Sequence, residues 1–296
     1  TFQYSPLNGE TFFKGVHRLP EGHYFTYKDN KLAIHQYWDA NFEEKQNYSR
    51  KEWIDKIDET VEASIKAHTI SDVEVGSFLS SGVDSSYVTS VLKPDHSFSI
   101  GFDDKTYNEA IEARKLTELL DLDNTAAVID GDMSFKAFPL IQYHLDEPDS
   151  NPSCVPLYFL ANLASQSVRV VQSGEGADEL FAGYQTYGFH TNSKVIRVIA
   201  QGLKKLPKGT RYNLGRKIGK MKNFHGRIHL YESLAPAKEY FIGHARVFEE
   251  NEASDILTQE YQKAPSVEEI MAVHYAKTEK IEDEVNKMQY VDLHQW

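Results

Sequence analysis

Residues Val73–Ser86, reading VEVGSFLSSGVDSS, constrain this chain more than any other stretch. Val73, Val75, Phe78 and Leu79 make the short apolar run of a buried strand that ends at Ser80. A polar loop follows, Ser80, Ser81, Gly82, Val83, Asp84, Ser85 and Ser86, and then Tyr87, Val88, Val91 and Leu92 resume an apolar pattern suited to a helix. Strand, tight loop and helix in that order aim main-chain N–H groups and a helix N-terminus at one spot, which holds phosphate without many lysines. Small side chains allow close approach, and four serine hydroxyls, Ser80, Ser81, Ser85 and Ser86, can add hydrogen bonds. Asp84 stands where a carboxylate can hold a magnesium ion bridging phosphate oxygens. The loop is neither a Walker A sequence, since no Gly-Lys-Ser/Thr follows the glycine, nor GxGxxG. An ordinary Ser/Gly turn between strand and helix fits it as well.

The flanking sequence supplies a frame. Ser49 and Glu52 form a capping box, with Ile54, Ile57, Val61 and Ile65 at helical spacing to about His68. Beyond the loop, His96–Phe102 alternates as a second strand, with Ile100 at its carboxyl edge, and Thr106–Glu109 caps a helix carrying Ala113, Leu116 and Leu120. Ala126–Ile129 gives a third strand, helical patterns follow at Phe135–Leu145 and Pro156–Gln166, and Val168–Gln172 gives a fourth strand. Strands alternating with helices predict an α/β domain, a parallel sheet with helices on both faces. Ligands in such sheets sit beyond the carboxyl ends of the strands. The serine-rich loop and the acidic segment starting at Ser173 both lie there, so topology predicts that they converge on one cleft. Glu175 and Asp178 are spaced i, i+3 and share a face if a helix starts at this loop; capping of that helix accounts for them equally.

Residues 1–48 differ, alternating aromatic and turn residues in the manner of short antiparallel strands joined at Pro20-Glu21-Gly22 and Asp29-Asn30. The chain has 296 residues and a net charge of -12, which argues against non-specific nucleic-acid binding and against an anionic membrane surface. One basic stretch, with no acidic residue from Leu180 to Tyr231, invites an RNA-binding reading, but a solvated helical face explains it without one. Cys154 is the single cysteine and fits a reducing compartment, with the cytoplasm as the expected location. It reads as a small buried residue rather than a nucleophile. No apolar run is long enough to span a bilayer. The opening TFQYSPLNGE has neither an initiator methionine nor a signal region and reads as a cut inside a longer chain.

Two blocks carry a family resemblance. Ser80–Ser86 resembles the SGGxDSS pyrophosphate-binding loop of ATP pyrophosphatases, with Ser81 where the pattern has its first glycine. If that position needed φ > 0, a serine there would cost roughly 1 kcal/mol. Ser173–Tyr184, SGEGADELFAGY, resembles the SGEGxDExFxGY signature of glutamine-hydrolysing asparagine synthetases. The resemblance implies a synthetase domain of the ATP pyrophosphatase type over residues 49–296 with a helical C-terminal extension, preceded in residues 1–48 by the last strands of a glutaminase domain. It implies ATP-dependent amidation of aspartate to asparagine through a β-aspartyl-AMP intermediate, with ammonia from glutamine and with ATP and Mg2+ as cofactors. Related amidation of another carboxylate, β-lactam closure, or an inactive ATP-binding fragment are the alternatives, and homodimer formation is left open. By the same resemblance Leu79, Ser80, Ser81, Gly82, Asp84, Ser85, Ser86, Ile100, Ser173 and Gly174 bind ATP, Asp84 and Asp178 hold the metal, and Glu175 and Tyr184 are catalytic. His144, Asp146 and Glu147 lie in a similar-looking HLDEP segment, and Lys287–Asp292 resembles the approach to a later substrate-site segment.

Overall fold

A computed structural model describes residues 9–103, 109–187, 194–222, 226–244, 246–248, 255–263 and 265–295. The chain divides into two compact units, Gln46–Ala177 on the one hand and Thr1–Lys45 with Asp178–Trp296 on the other.

The first unit holds the parallel sheet. Helix α1 (Arg50–Ala67) starts at the Ser49/Glu52 capping box, in which Glu52 N donates to Ser49 Oγ and Ser49 N to Glu52 Oε2. Only Ile65 of its apolar stripe is buried; Ile54 and Ile57 are exposed. Strands β3 (Val75–Phe78), β4 (Ser97–Phe102), β5 (Asn124–Ile129) and β6 (Val170–Gln172) are all parallel in the order β5-β4-β3-β6, after a hairpin, β1 and β2, described below. Helices α2 (Val83–Leu92), α3 (Glu109–Leu120), α4 (Gly131–His144) and α5 (Cys154–Ala164) connect them. The capping residues expected for α3, Thr106–Asn108, lie outside the described residues. Strand β4 runs past Ile100, since Gly101 and Phe102 still pair with Val128 and Ile129.

Alternation along the strands assigns the two faces. Ser77 pairs with Ser97 and bonds Thr89 of α2 through its hydroxyl at 2.7 Å. The next pair, Phe78 and Phe98, points to the opposite side, where Phe98 packs with Leu160, Leu163 and Ala164 of α5 and with Val168. Helices therefore cover both faces, as the alternation of patterns predicts. The face toward α2 is polar but satisfied: Ser99 Oγ donates to Leu79 O at 2.8 Å, and Asn124 Nδ2 to the hydroxyls of Ser97 and Ser99.

The second unit begins with the antiparallel hairpin of β1 (His23–Lys28) and β2 (Lys31–Gln36), turned by Asp29 and Asn30 at φ 51 and 59, the left-handed pair that a two-residue hairpin demands. Helix α6 (Ala177–Phe181) straddles the boundary between units, and α7 (Lys194–Leu203), α8 (Lys208–Gly219), α9 (Arg227–Leu234), α10 (Val267–Lys277) and α11 (Glu284–Leu293) follow. Tyr187, Ala237, Phe241, Val267, Met271, Tyr275, Met288 and Val291 form its core. Asp39 joins the N-terminal segment to this helical part: its carboxylate accepts from Tyr290 Oη at 3.1 Å and from His294 Nε2 at 2.9 Å. In this division Thr1–Lys45 falls in the same unit as Asp178–Trp296. No described helix is long and apolar enough to cross a membrane.

Candidate functional site

The serine-rich loop leaves β3 at Phe78, and Leu79, 3% exposed, still donates its N–H to Phe98 O at 2.9 Å. That pins the loop's first residue to the sheet. Ser80 N then donates to Ser85 Oγ at 3.1 Å, the two hydroxyls meet at 2.8 Å, and Gly82 N donates to Ser80 Oγ at 3.1 Å. Ser80 and Ser85 thereby fold the loop onto the first turn of α2. Ser81 is exposed and is not among the described residues with positive φ, so the strain expected for a serine at that position does not arise. Gly82 occupies the N-cap of α2 at φ -70 and ψ 154, and no side chain caps the helix. The first-turn N–H groups consequently have no side-chain acceptor of their own at this end. Asp84 and Ser86, both half-buried, belong to that turn, and the helix macrodipole favours negative charge there.

The acidic segment comes from the neighbouring strand. Val75, Gly76 and Ser77 of β3 pair with Val170, Val171 and Gln172 of β6, so Ser173 emerges at the same sheet edge as Leu79. Gly174 then presses against the start of α2. A Cβ on it would lie 2.8 Å from Asp84 Cβ and 2.8 Å from Ser85 N. The convergence expected from topology is real, and it depends on Gly174 having no side chain. Ser173 and Glu175 are exposed, with Glu175 N donating to Ser173 Oγ at 3.4 Å. Glu175 sits in the turn before α6, followed by Gly176 at φ 85, so it is not on the helix and the shared-face geometry with Asp178 does not apply. Ile100, half-buried, lies within β4 rather than at its end.

Asp178 and Tyr184 belong to the second unit. Asp178 is the second residue of the short α6, and Gly183 N donates back to Asp178 O at 2.9 Å. A Cβ on Gly183 would collide with Asp178 Oδ1, so this glycine is fixed by the carboxylate. Tyr184 donates its hydroxyl to Glu179 Oε1 at 2.7 Å, and its ring lies 4.2 Å from that of His244 and 5.9 Å from that of Tyr187. Burial, then the Glu179 carboxylate, push its hydroxyl well above the ordinary tyrosine range. This is a packed, un-ionised tyrosine whose proton is already committed.

Three residues singled out in the sequence stand outside these loops. His144 and Asp146, at and beyond the end of α4, are exposed, and Asp146 holds φ 61. The following loop is tied by Gln142, which bonds both the O and the N of Asp149. Cys154 opens α5 half-buried, and burial followed by the charge of Asp149 raises its thiol pKa, which is the opposite of an activated thiolate. Among the described residues no group of three His, Cys, Asp or Glu side chains is placed to hold a metal ion.

Sequence reasoning missed Gln289. It is 5% exposed within a buried run of α11, Met288 to Asp292, and donates from Nε2 to Glu179 O at 2.9 Å and Leu180 O at 2.8 Å. An amide between Met288 and the buried Tyr290 and Val291 is the signal that could have found it.

Comparison with known proteins follows the same lines. The asparagine synthase family profile matches residues 56–296. The chain is 33% identical over 309 aligned positions to asparagine synthetase [glutamine-hydrolyzing] 1 of Bacillus subtilis, covering 100% of this chain and 46% of that protein. It is 31% identical to a putative asparagine synthetase [glutamine-hydrolyzing] of Mycobacterium tuberculosis, covering 99% of this chain and 45% of that one. A protein named amidase chyE, from Penicillium rubens, is 28% identical over 61% of this chain and 30% of its own length. The chain thus spans less than half the length of these relatives.

Proposed function

From the premise that the chain belongs to the asparagine synthase family, we propose that it carries the ATP-cleaving, amide-forming half of a glutamine-dependent asparagine synthetase. The observation that carries this reading is the meeting of Gly174 with Asp84 and Ser85 beside a helix N-terminus that no side chain caps. The first turn of α2 offers main-chain donors, Ser80, Ser85 and Ser86 offer hydroxyls, and Gly174 leaves room where a side chain would intrude. That set fits a pyrophosphate group. Asp84 would hold magnesium, which binds through one or two carboxylates plus substrate phosphates and neutralises phosphate charge, and for Asp178 the same role rests on the family resemblance alone.

In this reading the substrate carboxylate attacks the α-phosphorus of ATP, the bond to the bridging oxygen breaks, and pyrophosphate leaves. The loop N–H groups and serine hydroxyls stabilise charge on the leaving group, which is where preorganised donors contribute most. Ammonia then attacks the acyl carbon of the mixed anhydride, releasing AMP, and the amide forms after loss of a proton. Glu175, exposed at the loop rim, is by resemblance the carboxylate that serves in forming and using the acyl-adenylate. Aspartate is the acceptor, glutamine the ammonia source in the whole enzyme, and the cytoplasm its place of work.

Pyrophosphate release measured with ATP, magnesium, aspartate and ammonium tests the reading. The expected result is release that depends on aspartate and falls at least a hundredfold in Asp84→Asn. Binding of ATP with no release under any acceptor would reduce the chain to a nucleotide-binding module, and release with other carboxylates but not aspartate would move it to a different amidation. The amidase-named relative makes that second outcome worth including in the acceptor panel.

A further inference from the structure

The second unit holds a cavity of about 1120 Å3 among α8, α9, α10 and the start of α11 that the nucleotide reading does not use. Its wall is fixed by bonds of its own. Glu284 accepts from Tyr212 Oη at 2.9 Å, from Ala237 N at 2.7 Å and from Lys287 Nζ at 2.9 Å, and Glu239 accepts from Arg216 Nε at 2.7 Å. Tyr231 donates its hydroxyl to Glu239 O at 3.0 Å, and Tyr275 donates to Phe241 O at 2.8 Å. Such a cavity is preformed, the usual condition of a ligand site.

The lining groups left without protein partners define what would fill it. Tyr240 also lines the cavity, and its hydroxyl has no acceptor among the described residues. Burial holds this hydroxyl well above the ordinary tyrosine range, so it stays a donor. Lys208 on α8 and Lys238 in the turn Ala237–Glu239 make no close ion pair among the described residues, and neither do Glu268 on α10 and Glu279 just beyond it. Arg246 adds a further cation. Cations therefore come from α8 and the loops after α9, carboxylates from α10 and its end, and the tyrosine rings with Met271 supply apolar surface.

We propose that this cavity binds a zwitterionic ligand with an apolar body, of the size of a short peptide, its carboxylate toward the lysines and Tyr240 and its ammonium toward Glu268 and Glu279. A purely anionic ligand would leave the two carboxylates unanswered, and a purely cationic one would leave the lysines so. The volume exceeds the roughly 300–1,000 Å3 of common small-molecule sites, which favours a peptide over a single amino acid. The site lies within one unit and uses neither the serine-rich loop nor a metal.

Calorimetry on the full-length protein with phenylalanyl-leucine, its N-acetyl derivative, its C-terminal amide and the doubly blocked form reads each charge separately. The free dipeptide should bind tightest, and blocking either end should weaken binding roughly threefold or more, the scale of a partly screened ion pair. Lys208→Gln with Lys238→Gln should weaken the two ligands that keep a carboxylate and leave the amide unchanged. Glu268→Gln with Glu279→Gln should do the reverse, weakening the two that keep an ammonium. These four positions are exposed, so the variants keep the fold, and Tyr240→Phe, which keeps the ring, should weaken the free dipeptide. No binding at millimolar dipeptide, equal affinity for all four ligands, or a lysine variant that weakens the amide as much as the dipeptide overturns the proposal. Pyrophosphate release with aspartate reports separately on the ATP-cleaving role: its absence with dipeptide binding intact strikes that role alone, and lost dipeptide binding with release intact strikes this inference alone.

Discussion

Gly174 lies against Asp84 so closely that a Cβ on the glycine would stand 2.8 Å from the Cβ of the aspartate. The second atom it would meet is a backbone nitrogen, Ser85 N, so the clash cannot be relieved by rotating a side chain. Gly174→Ala therefore has to push the start of α2 away from the acidic loop. The expected cost is about 1–3 kcal/mol of stability, typical of overpacking. Affinity for a non-hydrolysable ATP analogue should fall with it, at a temperature where the variant remains folded. Denaturant melts and calorimetry measure the two, and wild-type affinity in the alanine variant would separate this contact from nucleotide binding.

Ser85 does two jobs in the loop, accepting from Ser80 N at 3.1 Å and sharing a hydrogen bond with Ser80 Oγ at 2.8 Å. Ser85→Ala leaves the half-buried Ser80 N–H without its acceptor, at a cost of about 1 kcal/mol. If the same loop cradles phosphate, inorganic pyrophosphate should protect the wild type against thermal unfolding and protect Ser85→Ala less. Equal protection of both would mean that the hydroxyl organises the loop without serving a ligand.

Much of this was legible in the sequence because it was local. The capping box at Ser49, the Asp29-Asn30 hairpin turn and the parallel alternation around β3, β4, β5 and β6 each follow from residues a few positions apart. The convergence of Ser80 and Ser173 followed from topology, since adjacent parallel strands must release their loops at one edge. What could not be read depends on partners distant in sequence. Asp39 joining Tyr290 and His294 has no local signature, and the partners of Gln289 on α6 have none either, although its place among apolar neighbours does. The i, i+3 spacing of Glu175 and Asp178 misled because Gly176, at φ 85, delays the helix to Ala177. Tyr184 could be placed in an apolar stripe from spacing, but its bond to a buried Glu179 could not.

His274 on α10 is buried, and its pKa lies below the ordinary histidine value of 6.5, first through loss of solvation and then through the neighbouring His294. Lys277 acts in the same direction and Glu21 opposes it. With a depressed pKa in the fold, the unfolded chain binds the proton more readily, so stability is full above pH 6.5 and declines as pH falls below it. Carboxylates with lowered pKa, such as Glu284, add their own loss only nearer their ordinary value of 4.5. Urea melts between pH 6.5 and 5 should therefore show declining stability in the wild type and a shallower decline in His274→Gln. An identical slope in both would assign the effect to another group.

Tyr184 offers the sharpest division between packing and chemistry. Its hydroxyl proton is held by Glu179, a carboxylate 2% exposed, and its ring is enclosed by His244 and Tyr187. Tyr184→Phe preserves the ring contacts and removes the donor, leaving a buried carboxylate short of a partner, which costs about 1–3 kcal/mol. A tyrosine that acted on substrate would lose turnover in the same variant, whereas one that only satisfies Glu179 would not. The expected outcome is a lower unfolding midpoint with pyrophosphate release per folded molecule within about threefold of wild type, a change of under 1 kcal/mol in the barrier. A loss beyond a hundredfold with stability intact would make Tyr184 catalytic and require that its bond to Glu179 break when substrate binds.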